Sequence, residues 1–270
     1  MNDNKIIVPV DFTDAADSAI ELASVFADKT GLGITLLHIH DEKIAAEPED
    51  DLQVQAKRLA EDRGLASEFR IRKGNIFKEI PNAAEEEDYK LMIVGTHGFK
   101  GIREKFFGSD ILKLVKNIPV PVIVIRKDYR IPPAGIRTIV FPAGTHKAFT
   151  NNIGATIFIA KLFDAEVHIY SVEKPGQEWS PELKANIELA RSEFEKHGVR
   201  YKRVNEKQTT YSMGFAKQIL KYAQSVSADL IAVMSIPTPE HYYFADSDKE
   251  MLLVNDEGIP ILCTNDKKVV

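Results

Sequence analysis

Short apolar runs of strand length alternate with longer stretches of helical spacing along the whole chain, and the series is written twice. The order β-α-β-α-β-α-β-α-β in each half is that of a parallel sheet with crossover helices, because parallel neighbours need a long return connection. At roughly 100–200 residues per domain, 270 residues accommodate two such units.

In the first half, Lys5 to Val10 is an apolar run, and Asp11-Phe-Thr-Asp14 supplies capping residues before a helix from Ala15 to Lys29. Ala16, Ile20, Ala23 and Ala27 repeat at helical spacing, and Gly31 stands where a C-terminal cap belongs. Ile34 to His40 reads as the second strand, Leu52 to Leu65 as a polar-faced helix and Glu68 to Arg72 as the third strand. Ile76, Ile80 and Ala84 line a third helix that Pro81 is expected to interrupt. Leu91 to Gly95 has almost no polar alternation, as in a strand covered on both faces, and a helix from Ser109 to Asn117 and strand Pro121 to Ile125 close the half.

Arg130-Ile-Pro-Pro-Ala-Gly135 breaks both periodicities, so the sequence divides into domains 1–129 and 136–270 joined by a linker at 130–135. Arg137 to Pro142 echoes the first strand, Glu166 to Ser171 the second, Asp229 to Met234 the fourth and Gly258 to Cys263 the fifth. A tandem duplication is the simplest account.

Composition excludes several classes. Hydrophobic residues at 44% and charged ones at 28% rule out global disorder. Lys and Arg total 35 against 40 for Asp and Glu, so the net charge of -5 offers no sequence-wide reason for a nucleic-acid partner. No run approaches about 18 apolar residues and no leader pattern opens the chain, so no membrane partner and a cytoplasmic location are expected. The single cysteine, Cys263, fits a reducing compartment and reads as buried and inert.

In an open parallel sheet, ligands bind beyond the carboxyl ends of the strands where the order reverses. Here the first strand ends in Pro9-Val10-Asp11, and the fourth ends in Gly95-Thr-His-Gly98, followed after nine residues by Gly108-Ser109 at a helix start. Glycines allow close backbone approach, and the N–H groups of a helix start point toward an anion, so G-x2-G-x9-G-S describes a phosphate cradle. Gly95 and Gly98 alone are better read as turn glycines; the full spacing reverses that and points to phosphate.

With these residues the first half resembles the universal stress protein family, whose nucleotide-binding members carry G-x2-G-x9-G-[ST] after the fourth strand. The resemblance extends to Ile6-Ile-Val-Pro-Val-Asp-Phe12, Leu36-Leu-His-Ile39 and Pro119-Val-Pro-Val-Ile-Val124, and covers residues 1–128. It implies an α/β fold of two tandem open five-stranded parallel-sheet domains, Rossmann-like and adenine-nucleotide alpha-hydrolase-like, with strand order 3-2-1-4-5 and flanking helices. It places Asp11 and Ile39 against adenine, has Pro9, Val10 and Val94 line the adenosine pocket, puts Gly95 near the ribose, and has His97, Gly98, Gly108, Ser109 and Asp110 surround the phosphates. Asp110 departs from the pattern: a carboxylate suits a helix start but repels a triphosphate unless a cation such as Mg²⁺ intervenes. Lys100, Arg103 and Lys105 either offset that repulsion or form an ordinary solvated loop. Because family members pair through their last strands, the resemblance also implies an intramolecular pseudo-dimer through Pro121 to Ile125 and Ile259 to Cys263, with homodimerisation left open.

The second half has Met234, Pro237 and Ser247 where the first has Gly95, Gly98 and Gly108, and Gly144 in place of Asp11, so the fold is expected without the nucleotide site. Trp179, Tyr242, Tyr243 and Phe244 either frame another ligand or pack over the domain. His38 and His40 share a strand face, but packing explains them better than a metal; Asp14 and Asp17 are helix-start charges, and Glu85 to Asp88 is a solvated helix end. Neither a G-x-S-x-G elbow nor a Walker spacing occurs, so no catalytic or metal-ligating residue is assigned.

The expected function is that of a stress-response regulator binding ATP or a related adenine nucleotide in its first half, with at most slow hydrolysis. The alternative is a nucleotide-free scaffold that engages protein partners under stress. A hydrolase using His97 with a metal is a third reading, which would require turnover lost in His97→Ala.

Overall fold

The structure is a computed structural model that describes residues 4–40, 49–96, 108–147, 149–173, 178–207, 214–236 and 246–267. The chain divides into two compact units, Met1–Arg130 with Lys267–Val270, and Ile131–Asp266.

The first unit runs β1 (Lys5–Pro9), α1 (Asp14–Thr30), β2 (Gly33–His40), α2 (Glu49–Arg63), β3 (Ser67–Lys73), α3 (Ile76–Glu86), β4 (Tyr89–Thr96), α4 (Gly108–Val115) and β5 (Val122–Arg126). Its strands lie in the order β3-β2-β1-β4-β5, and every neighbouring pair is parallel. Ile6, Ile7 and Val8 of β1 and Leu91 to Val94 of β4 are buried, as unbroken apolar runs must be when helices cover both sheet faces.

Local chemistry sets the ends of α1. The Thr13 hydroxyl accepts the Ala16 N–H at 3.4 Å, Asp14 and Asp17 occupy the first turn, and Gly31 closes the helix at φ 74° with its N–H on Ala27 O. The buried stripe is Ala15, Ala16, Ala19, Leu22, Ala23, Phe26 and Ala27. Ile20, expected within it, is only half-buried, one position off the line of closest approach. The third helix is also continuous through Pro81, contrary to expectation. The ring forfeits one backbone bond, but Ile80, Pro81, Ala83 and Ala84 are all buried, and that packing keeps the helix whole.

The second unit repeats the order: β6 (Thr138–Pro142), α5 (Phe149–Phe163), β7 (Glu166–Glu173), α6 (Pro181–Lys196), β8 (Tyr201–Lys207), α7 (Phe215–Ser225), β9 (Leu230–Met234), α8 (Asp246–Leu253) and β10 (Ile261–Thr264). Its strands follow the same sequence, β8-β7-β6-β9-β10, again all parallel. The last strand begins only at Ile261, because Gly258 turns at φ 71° and Pro260 has no N–H to give a ladder. Among the described residues, no helix is long and apolar enough to cross a membrane.

In the first unit α1 packs on β4, and one position sets how closely. A Cβ on Gly95 would lie 2.0 Å from the Ala15 carbonyl oxygen and 2.4 Å from its carbon, both backbone atoms that cannot turn aside. Gly95→Ala is therefore expected to force α1 off the sheet and to cost at least about 3 kcal/mol, read as a lowered denaturant midpoint without added ligand.

Candidate functional site

The order of the first unit's strands reverses between β1 and β4, since the chain proceeds from β1 to β2 and β3 on one side and returns to β4 and β5 on the other. Because all strands are parallel, Pro9, Val10, Asp11, Ile39, Val94 and Gly95 gather at one edge of the sheet. Gly108 opens α4, with Ser109 exposed and Asp110 half-buried in its first turn. His97, Gly98, Lys100, Arg103 and Lys105 lie outside the described residues.

The end of β1 is held by a short chain of hydrogen bonds. Val10 is buried, and its N–H donates to Leu37 O at 2.8 Å. Asp11 is exposed, and its Oδ1 accepts the Thr13 hydroxyl at 2.6 Å and the Thr13 N–H at 3.2 Å. One carboxylate oxygen is thus spent fixing the start of α1, while the side chain stays at the surface where a ligand can reach it.

His38 contributes a bond that the sequence did not reveal. Its Nδ1 lies 2.8 Å from Val10 O, so the imidazole donates to the carbonyl and ties β2 to the end of β1. His40 is buried with its ring 6.1 Å from that of His38, and among the described residues no three potential metal ligands cluster. Phe12 is likewise unforeseen: it holds φ 61°, is exposed, and rests its ring 5.2 Å from His38. The signal available was an aromatic residue directly after the strand-end aspartate, at a place where the chain turns sharply into a helix.

At the end of β4, Gly95 is explained first by α1, whose backbone occupies the space a side chain would take. Thr96, beside it, is buried, and among the described residues its hydroxyl has no hydrogen-bond partner. An orphaned hydroxyl, an oriented carboxylate and a Gly-Ser helix start at one sheet edge fit a polar ligand with both donor and acceptor groups.

The second unit fills the same edge with its own side chains. Ala143 N–H donates to Tyr170 O as Val10 does to Leu37 O, which sets Gly144 against Asp11 and His146 against Thr13. Met234 pairs with Thr264 as Gly95 pairs with Ile125, and its side chain is buried where the first unit has none. His146 is buried, with Nε2 3.0 Å from Ile236 O, and burial pushes its pKa down to about 4, the ammonium of Lys249 adding to the effect. Asn186 Nδ2 donates to Gly144 O at 2.8 Å and His146 O at 3.1 Å and so closes the loop. Trp179 is half-buried ahead of α6, Ser247 falls in α8, and Pro237, Tyr242, Tyr243 and Phe244 lie outside the described residues. Cys263 is buried, and burial pushes its thiol up to about 12, so it stays protonated.

A family model described as the universal stress protein family matches residues 4–126. Those residues, from β1 to β5 of the first unit, are thus similar to the universal stress protein family. The universal stress protein YxiE of Bacillus subtilis is 25% identical over 146 residues, which is 46% of this chain and 99% of that one. A universal stress protein of Methanocaldococcus jannaschii is 26% identical over 153 residues, covering 46% of this chain and 94% of its own. The crystal structure of a universal stress protein from Archaeoglobus fulgidus superposes with a TM-score of 0.75 at 17% identity, covering 98% of this chain and all of the other. At that identity the likeness is one of fold, and it extends through the second unit.

The αL backbone at Phe12 disfavours any residue with a Cβ. Phe12→Gly is expected to raise unfolding stability by about 0.5–1 kcal/mol in urea titrations, the relief of left-handed strain exceeding the entropy cost of glycine.

Proposed function

We propose that the chain is a universal stress protein acting as a regulator that binds ATP or a related adenine nucleotide in its first unit. The observation that carries the reading is the exposed Asp11 carboxylate, oriented by Thr13 at the strand-order reversal, on the same sheet edge as the orphaned Thr96 hydroxyl and the Gly108-Ser109 helix start. Asp11 accepts from the adenine amino group beside Ile39, and Pro9, Val10 and Val94 supply apolar walls. Gly95 stands near the ribose, and the N-terminus of α4 with Ser109, together with His97, Gly98 and Gly108, takes the phosphates. Mg²⁺ is the cation that relieves the repulsion between Asp110 and a polyphosphate.

Hydrolysis is at most slow in this reading. Donors fixed at a helix start hold phosphate equally in ground and transition states, and uniform binding does not accelerate chemistry. The nucleotide acts instead as a signal passed to protein partners in the cytoplasm, where a lone reduced cysteine is at home.

A nucleotide-free scaffold is the second reading, favoured by the buried Met234 and His146 that occupy the equivalent edge of the second unit. Isothermal titration with ATP, ADP and AMP, with and without Mg²⁺, separates the two. The expected result is saturable ATP binding at one site per chain, abolished in an Asp11→Ala, Gly98→Val double variant that stays folded. No heat at millimolar nucleotide leaves the scaffold, and two sites per chain would overturn the assignment of a filled second unit.

A further inference from the structure

The two units differ most pointedly in where they bury imidazole. In the first unit Ile7 pairs with Thr35, and in the second the equivalent Val140 pairs with His168. Thr13, the α1 cap, is matched by His146. Both positions are threonine in the unit that keeps the cradle glycines and buried histidine in the unit that lacks them.

His168 sits inside a polar chain contributed by three elements. Its Nε2 lies 3.0 Å from Glu166 Oε2 of β7, and its Nδ1 lies 2.9 Å from the hydroxyl of Tyr222 on α7. With Nε2 donating to the carboxylate, Nδ1 must accept the phenol proton, so the neutral imidazole latches α7 to the sheet. Tyr222 stacks on Tyr170 at 4.8 Å and 22°, the Tyr170 hydroxyl donates to Glu206 of β8, and Lys202 of β8 lies 3.5 Å from Glu166. His146, beyond the end of β6, holds Ile236 O and feels the buried ammonium of Lys249 on α8, which itself lies 3.9 Å from the Asp246 carboxylate. Helices α7 and α8 pack on each other; His168 bonds to a side chain of the first, and His146 is influenced by the charge of Lys249 on the second.

We propose that the second unit is a proton-binding module, in which protonation of His168 and His146 releases the α7–α8 pair from the sheet. Proton uptake puts an N–H on both ring nitrogens of His168, so Nδ1 can no longer accept from Tyr222; the contact would have to reverse, with Nδ1 donating and the phenol proton turned away from the acceptor it now uses. Uptake by His146 sets an imidazolium beside a buried ammonium.

The direction in pH follows from burial. Burial pushes His168 below its ordinary 6.5, Lys202 adding to the effect and Glu166 only partly opposing it, and His146 falls to about 4. Glu166 stays ionised in this range because the bonds from His168 and Lys202 outweigh its own burial. The folded unit binds fewer protons than the unfolded chain, so its stability is complete above about pH 6.5 and is lost as pH falls toward 4.

Trp179 is the only tryptophan and lies in the second unit, so the fluorescence of the full chain reports that unit alone. The wild type, titrated from pH 8 to pH 4 at constant ionic strength, is expected to show a reversible transition that begins below about 6.5. In a His146→Gln, His168→Gln double variant, whose amides donate and accept without titrating, the midpoint should move down by at least about one pH unit. An unchanged midpoint overturns the proposal. Should the variant fail to fold, ring-proton NMR of the wild type's seven histidines decides: two resonances titrating below the ordinary range, in step with the fluorescence, support it, and seven ordinary titrations refute it.

Discussion

The close approach of α1 to β4 at Gly95 is the contact on which the architecture of the first unit turns. Backbone meets backbone there, so the helix start is drawn down to the sheet edge and brings Thr13 and Asp11 to the carboxyl end of β1. A glycine that the motif assigns to ligand approach is thus first a packing residue, and the site inherits its geometry from that packing. The two roles are compatible, because a helix drawn close to the strand order reversal also delimits the crevice beside it.

The two units show which parts of such a fold are free to change. Strand runs, crossover helices and strand order coincide, since all depend on burying apolar faces on both sides of a parallel sheet. The carboxyl edge carries no such obligation. There one unit keeps an exposed carboxylate and a Gly-Ser helix start, and the other inserts Met234, His146 and Lys249 into its interior. Interior polar groups then need partners, and the Asn186 and Ile236 bonds around His146 answer that need locally.

The order of elements and the crossover of the sheet could be read from the chain, because uninterrupted apolar strands and capped amphipathic helices are local signals. Thr13, Gly31 and the apolar run of β4 are examples. Pro81 misled because burial of the helix around it outweighs one lost bond, and Ile20 because helical spacing alone does not say where the sheet comes closest. His38 and Phe12 were hidden for another reason. Their roles depend on the carbonyl of Val10 and a left-handed turn, backbone features that residue type does not fix, although the aromatic after Asp11 marks the place of the turn. The Glu166–His168–Tyr222 chain is likewise assembled from β7 and a helix more than fifty positions away, a pairing that only the folded topology brings about.

Gly144 and His146 of the second unit constrain each other. A Cβ at Gly144 would lie 2.9 Å from Nδ1 of His146, so an aspartate there would force the buried imidazole to move. Replacing His146 alone would strip Ile236 O of its buried donor. The two positions are thereby coupled through packing, and either is exchanged at lower cost together with the other than alone.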